Sequence, residues 1–72
     1  MGSKYPVLRS NEITSALSKE GFVLKSKKGS HAKYSNGKRI YVIPMHDTIA
    51  KGTLKSILAQ AGIELNDFMK LL

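Results

Sequence analysis

An Asn-Gly dipeptide at positions 36–37 constrains the fold of this chain more than any other feature. Between two segments of alternating side chains, Asn-Gly is the strongest short signal for a β-hairpin, because a type I′ turn needs two positive φ angles. The flanking segments, His31 to Ser35 and Arg39 to Ile43, are the predicted strands. We therefore expect an antiparallel hairpin with a two-residue turn, in which Ser35 faces Lys38.

The register of this hairpin sorts its side chains into two faces, because cross-strand partners lie on the same side of a sheet. The better core face holds Ala32, Tyr34, Tyr41 and Ile43. Tyr34 and Tyr41 could stack on nucleobases, but this placement favours structural roles for both. The outer face holds His31, Lys33, Ile40 and Val42. Two branched apolar residues on that face indicate that a partner covers it.

Three further elements follow from periodicity. Residues 22–27 alternate as a short strand, with Phe22, Leu24 and Ser26 on one side and Val23, Lys25 and Lys27 on the other. A first helix spans about 11–20, with Ser10 as N-cap and Gly21 after its end. A second helix has Thr53 as N-cap and stops at Gly62, and Asn66 caps a short final turn.

The order of these elements predicts an α+β fold of the form α-β-β-β-α. Two amphipathic helices bury their apolar stripes on one face of a three-stranded antiparallel sheet, as in double-stranded RNA-binding domains. A chain of 72 residues forms one small domain. Residues 1–4 are expected to be a flexible start or a remnant of expression.

Composition narrows the environment of the protein. The absence of cysteine excludes disulfides and thiolate metal sites, which fits a reducing cytosol. The longest apolar run, residues 40–43, is far too short to cross a membrane, and no signal peptide is visible. We therefore expect a cytoplasmic protein.

The charge balance indicates a polyanionic partner. Twelve Lys and Arg residues stand against five Asp and Glu residues, a net charge of +7. Six of the basic residues and none of the acidic ones lie between positions 25 and 39. Nucleic acid is the first partner to consider for such a patch. An acidic protein, a membrane surface or a merely solvated surface would also fit.

The residues available for chemistry are few. The chain has two histidines and no metal-ligand cluster, phosphate-binding loop or catalytic carboxylate pair at recognisable spacing. A histidine with cations is nevertheless sufficient to cleave RNA, because the ribose 2′-OH supplies the nucleophile. An imidazole, with a reference pKa of about 6.5, transfers protons near neutral pH, and lysines stabilise charge on the phosphate. Such a reaction needs no metal and no other cofactor.

Several short motifs together resemble the HicA (YcfA-like) toxin family, and the similarity extends from about Tyr5 to Phe68. In order and spacing they are Gly21-Phe22, Lys28-Gly29-Ser30-His31, Pro44-Met45-His46, Lys51-Gly52-Thr53-Leu54 and Ala61-Gly62-Ile63. The resemblance implies one toxin domain over residues 1–72, with the double-stranded RNA-binding fold. It implies translation-independent mRNA cleavage with His31 as the catalytic residue. It also implies a HicB antitoxin that covers the active site and carries out any DNA binding.

We rank the remaining site residues by their position relative to His31. Lys28 and Lys33 flank it and are the best candidates for phosphate contacts. The other candidates for RNA binding are Ser30, Lys27, Lys38, Arg39, Lys51 and Lys55. His46 matches a family position, where it either supports the fold or contacts RNA. His31 could be the general base or the general acid, and the second proton carrier could be Lys28, His46, water or an RNA group.

Two other functional classes remain open at this point. A non-catalytic RNA-binding module would bind RNA in a salt-dependent way without cleaving it. A pure interaction protein would dock an acidic partner on its basic face and would have no affinity for RNA at physiological salt.

Overall fold

The structure is a computed structural model that describes residues 5–72, so the prediction for residues 1–4 lies outside the described part of the chain. Its elements are α1 (Ser10–Ser18), β1 (Val23–Lys28), β2 (His31–Ser35), β3 (Ile40–Pro44), α2 (Lys51–Ala61) and α3 (Leu65–Leu71). The strands form one antiparallel sheet in the order β1-β2-β3. The predicted α-β-β-β-α fold is confirmed, and α3 takes the place of the expected final turn. Within residues 5–72 no helix has the length and hydropathy needed to cross a membrane.

The core lies between the helices and one face of the sheet, which we call the inner face. The two longer helices bury the stripes that the sequence predicts, and the sheet adds Ala32, Tyr41 and Ile43. Phe68 of α3 is fully buried against the same core. By contrast, every residue of β1 is exposed, so this edge strand is held mainly by its pairing with β2. The opposite face of the sheet, the outer face, carries no layer of the described chain.

The predicted two-residue turn of the hairpin is wrong. Ser35 pairs with Ile40, so residues 36–39 form a four-residue loop. The Asn36 side-chain oxygen accepts hydrogen bonds from the N–H groups of Lys38 (2.9 Å) and Arg39 (2.7 Å). Gly37 has a positive φ of 92° but Asn36 does not, whereas a type I′ turn requires both. The Asn side chain therefore builds the loop by imitating a backbone acceptor.

This correction moves the register by two residues and leaves the predicted faces intact. Lys33 now pairs with Val42, and His31 pairs with Pro44. Since the side-chain period of a strand is two, an even shift keeps each residue on its side of the sheet. Tyr41 and Ile43 are accordingly buried, while Ile40 and Val42 are 53% and 37% exposed.

The predicted N-caps are also wrong. Helix α1 begins at Ser10, with Arg9 in the N-cap position. The Glu12 carboxylate accepts the Arg9 N–H at 2.8 Å. Ser10 is buried, and its own N–H donates to the His46 carbonyl at 3.2 Å. The contact with the distant loop replaces the local cap that the serine would otherwise supply.

Helix α2 also begins earlier than predicted, whereas its end agrees with the prediction. It begins at Lys51, and its N-cap is Ala50, three residues before the predicted N-cap Thr53. Gly62 ends it in the left-handed conformation, with φ of 72°. The Ile63 N–H then donates to the Leu58 carbonyl at 3.1 Å, which closes the last turn of the helix.

Candidate functional site

A β-bulge at Lys25 decides which lysines share a face with His31. Leu24 pairs with Tyr34, but Ser26 pairs with Lys33, so Lys25 is an extra residue in β1. The predicted alternation of residues 22–27 is therefore wrong beyond this point, because one inserted residue exchanges the two faces. Lys27 pairs with buried Ala32 and belongs to the inner side of the sheet.

Two rows of cross-strand partners form the site on the outer face. In one row Lys28, His31 and Pro44 are aligned, and in the next Ser26, Lys33 and Val42 are aligned. Most of these side chains line a shallow depression of about 180 Å³, bordered by Ser26, Lys28, His31, Ala32, Lys33 and Val42. The structure thus brings together the predicted catalytic histidine and the two lysines ranked first as phosphate contacts.

The electrostatics of this face are one-sided. None of the five acidic residues of the chain lies in a strand, so the rows around His31 contain ammonium groups without an opposing carboxylate. His31, Lys28 and Lys33 are all exposed and accessible to a large ligand. Two lysines next to an imidazole, one across the strand and one along it, form a surface that attracts a phosphate group.

Four other predicted RNA-binding residues lie elsewhere. Lys38 and Arg39 belong to the 36–39 loop, about 13 Å from His31 along β2 at the usual rise per residue. The Arg39 guanidinium lies against Gly62 at the C-terminal end of α2, where a positive charge is favourable to the helix dipole. Lys51 and Lys55 lie on the exposed side of α2, in the layer that covers the inner face.

Ser30 and His46 lie at the same end of the sheet as His31. The Ser30 carbonyl accepts the Met45 N–H at 2.6 Å, which fastens the segment leading to His46 beside the turn before His31. The His46 side chain is exposed, while its carbonyl accepts the N–H of Ser10. The backbone of His46 therefore supports the fold, and a role of its imidazole in RNA contact stays a prediction.

The aromatic residues of the sheet are placed away from this site. Tyr41 is buried on the inner face, stacked on Tyr34 at 5.2 Å between ring centroids and edge-on to Phe22 at 5.0 Å. Burial raises the pKa of the Tyr41 hydroxyl far above its usual value of about 10. The structural interpretation of both tyrosines is confirmed, and the two rows that form the site contain no aromatic ring for base stacking.

Sequence reasoning missed three residues that line the depression, Ser26, Ala32 and Val42. Ala32 was predicted on the core face of the hairpin. Val42 was predicted on the outer face, but the predicted register placed Ile40 opposite Lys33 instead of Val42. Ser26 carries no signal of its own, because an unbulged strand would put it on the inner side.

Within residues 5–72 no three His, Cys, Asp or Glu side chains are grouped so that they could hold a metal ion. What the site offers is proton transfer by an imidazole and charge stabilisation by ammonium groups.

Comparison with known families adds one finding. A family model described as the HicA toxin of bacterial toxin–antitoxin systems matches residues 10–63, which are 54 of the 72 residues. The matched segment runs from the start of α1 through the three strands to the end of α2, and it includes both rows of the site. A search of curated proteins found no match.

Proposed function

Because the chain belongs to the HicA family of toxins from bacterial toxin–antitoxin systems, we propose that it is an endoribonuclease that cleaves mRNA with His31 as its catalytic residue. The observation that carries the proposal is the position of His31 on an open sheet face, with Lys28 as its cross-strand partner, Lys33 two residues along β2, and no carboxylate in the strands. The face is shallow and accessible, which suits a single strand of RNA.

The proposed reaction uses the ribose of the substrate as nucleophile. The 2′-oxygen attacks the adjacent phosphorus, the bond from phosphorus to the 5′-oxygen breaks, and a 2′,3′-cyclic phosphate forms. One group removes the proton of the 2′-OH and another protonates the departing 5′-oxygen; His31 performs one of these two transfers. Lys28 and Lys33 hold the phosphate and stabilise the negative charge that grows on its oxygens.

The pairing of β1 with β2 favours Lys28 as the second proton carrier. Lys28 is the direct cross-strand partner of His31 on the same face, so it is the first candidate for the second proton transfer. His46, water or an RNA group are the alternatives. The chemistry proposed for these residues is complete without a metal ion or another cofactor.

Membership of this family implies a cognate antitoxin as partner. We propose that it is of the HicB type, that it covers the outer face, and that any DNA binding belongs to it. The exposed Ile40 and Val42 support this placement, because a branched apolar pair beside a basic site suits a protein surface that becomes buried. The cytoplasm, where mRNA is found, is the proposed compartment.

The test is cleavage of a long single-stranded RNA by the purified, antitoxin-free protein in EDTA, beside His31→Ala. We expect fragments with cyclic phosphate ends from the native chain and a loss of roughly 10²- to 10⁴-fold in rate for the variant. Circular dichroism should show that the variant is folded, since His31 is exposed. His46→Ala in the same assay shows whether the second histidine carries a proton.

Intact RNA with a folded native protein would overturn the nuclease proposal. The same basic face would then support a non-catalytic RNA-binding module, which binds RNA in a salt-dependent way and keeps that binding in His31→Ala. A protein without affinity for RNA at physiological salt would instead be one that docks an acidic partner.

A further inference from the structure

We propose that Ser26 is a further substrate-binding residue, whose hydroxyl donates a hydrogen bond to the phosphate held by Lys28 and Lys33. The inference rests on the proposed RNA-binding function of the outer face. It adds to that function a neutral, directional contact that neither the charge pattern nor the motifs around His31 indicate.

The position of Ser26 is set by the bulge at Lys25. Beyond the bulge, Ser26 pairs with Lys33, and Lys28 follows two residues later on the same side of β1. Residues opposite each other and two apart on one strand are the nearest neighbours on a sheet face. Ser26 therefore lies beside both lysines and diagonally across from His31, and it lines the same depression.

The Ser26 hydroxyl is available for a ligand. Two other serine hydroxyls are engaged locally: Ser18 donates to the Ser15 carbonyl at 2.6 Å, and Ser35 accepts the Gly37 N–H at 3.0 Å. No side-chain hydrogen bond formed within residues 5–72 involves the Ser26 hydroxyl. Its side chain is exposed on the face where the phosphate is proposed to bind.

The chemistry of a hydroxyl complements that of the two lysines. A lysine is a mobile point charge on a long stem, so a pair of lysines attracts a phosphate without fixing its orientation. A serine hydroxyl stands on one carbon above the strand and donates one directed hydrogen bond. Because the phosphate oxygens gain charge during the displacement, a fixed donor stabilises the transition state more than the bound substrate.

The experiment compares Ser26→Ala with Ser15→Ala, a matched control at an exposed position of α1. Two quantities are measured: the cleavage rate of single-stranded RNA, and the affinity for the same RNA fully 2′-O-methylated, which cannot be cleaved. We expect Ser26→Ala to lose roughly 10-fold or more in rate and less in affinity, because a hydrogen bond to a charged group is lost. Ser26→Thr, which keeps the hydroxyl, should restore most of the rate.

The salt dependence of RNA affinity distinguishes the loss of the Ser26 hydrogen bond from the loss of a charged contact. Ser26→Ala should leave the slope of log affinity against log salt unchanged, whereas Lys28→Ala should reduce its magnitude by about 0.7. Native rate and affinity in a folded Ser26→Ala would overturn the proposal, as would equal losses in Ser26→Thr. If the native protein binds RNA but cuts none, the nuclease function fails, and the affinity comparison alone still decides the role of Ser26.

Discussion

Tyr41 shows how the chemistry of one residue is set by its burial. Its ring is fully buried between Phe22 and Tyr34, and its hydroxyl finds no hydrogen-bond partner among the described residues. A buried hydroxyl without a partner costs free energy, and burial disfavours the charged phenolate even more. The pKa of Tyr41 is therefore raised, chiefly by desolvation and further by the neighbouring Tyr34.

Replacing Tyr41→Phe keeps the ring contacts and removes the unpaired hydroxyl. We expect the free energy of unfolding at pH 7 to stay equal or to rise by about 1 kcal/mol. Above pH 10 the native chain loses stability as pH rises, because Tyr41 ionises in the unfolded state before it can ionise in the folded one. Tyr41→Phe has no group that ionises at this position, so the difference in free energy of unfolding in favour of the variant grows with pH. Urea denaturation at pH 7 and pH 10.5 measures both effects, and a clear loss of stability at pH 7 would contradict the prediction.

At the scale of the elements, the bulge in β1 determines the composition of the site. Lys25 is the extra residue between the pair of Leu24 with Tyr34 and the pair of Ser26 with Lys33.

The edge of the sheet formed by β3 is protected against the addition of another strand. On β3, the Val42 N–H donates to the Gln60 side chain at 3.1 Å and Pro44 has no N–H to offer, so α2 and the proline protect that edge against strand addition.

Deleting Lys25 tests whether the site needs the bulge itself or only the face on which Ser26 and Lys28 lie. Without it Leu24 is followed by Ser26, and regular alternation keeps Ser26 and Lys28 on the outer face. We expect the pair of Ser26 with Lys33 to persist and RNA cleavage to stay within roughly threefold of Lys25→Ala, the control that keeps the bulge and removes the same charge. Cross-strand nuclear Overhauser effects report the register. A slipped register would show that the rest of β1 depends on the bulge.

At the scale of the whole molecule, charge and structure divide the protein into two sides. The outer face carries the cations around His31, whereas four of the five acidic residues lie in the helical layer or its connections: Glu12, Glu20, Glu64 and Asp67. Lys28 and Lys33 on the outer face have no acidic partner within the strands, so long-range attraction favours the approach of a polyanion to that face.

The two sides should differ in their effect on RNA binding. Lys33→Ala on the outer face and Lys70→Ala in α3 remove the same charge. We expect only Lys33→Ala to reduce the magnitude of the salt slope, by about 0.7 for a single strand, because only that lysine releases a counterion from the RNA. Titrations of non-cleavable RNA at several salt concentrations provide the slopes. Equal slopes for the two variants would mean that net charge, not the face, governs binding.

The sequence by itself determined the order of the elements, the exact extent of β2 and the side of the sheet on which His31 and Lys33 lie. These properties depend on side-chain periodicity within a few residues, and an even error in register does not disturb them. The motifs around Gly29-Ser30-His31 indicated the toxin family in the same local way, and the family comparison confirmed it.

Only the tertiary structure decided which lysine faces His31, how the hairpin turns and where the helices begin. The bulge that selects Lys28 over Lys27 is a property of two paired strands. The start of α1 depends on a carbonyl 36 residues away, that of His46, which accepts the N–H of Ser10. Such features arise from hydrogen bonds between distant segments, which no local pattern records, because each backbone group is satisfied by whichever partner the assembled fold brings to it.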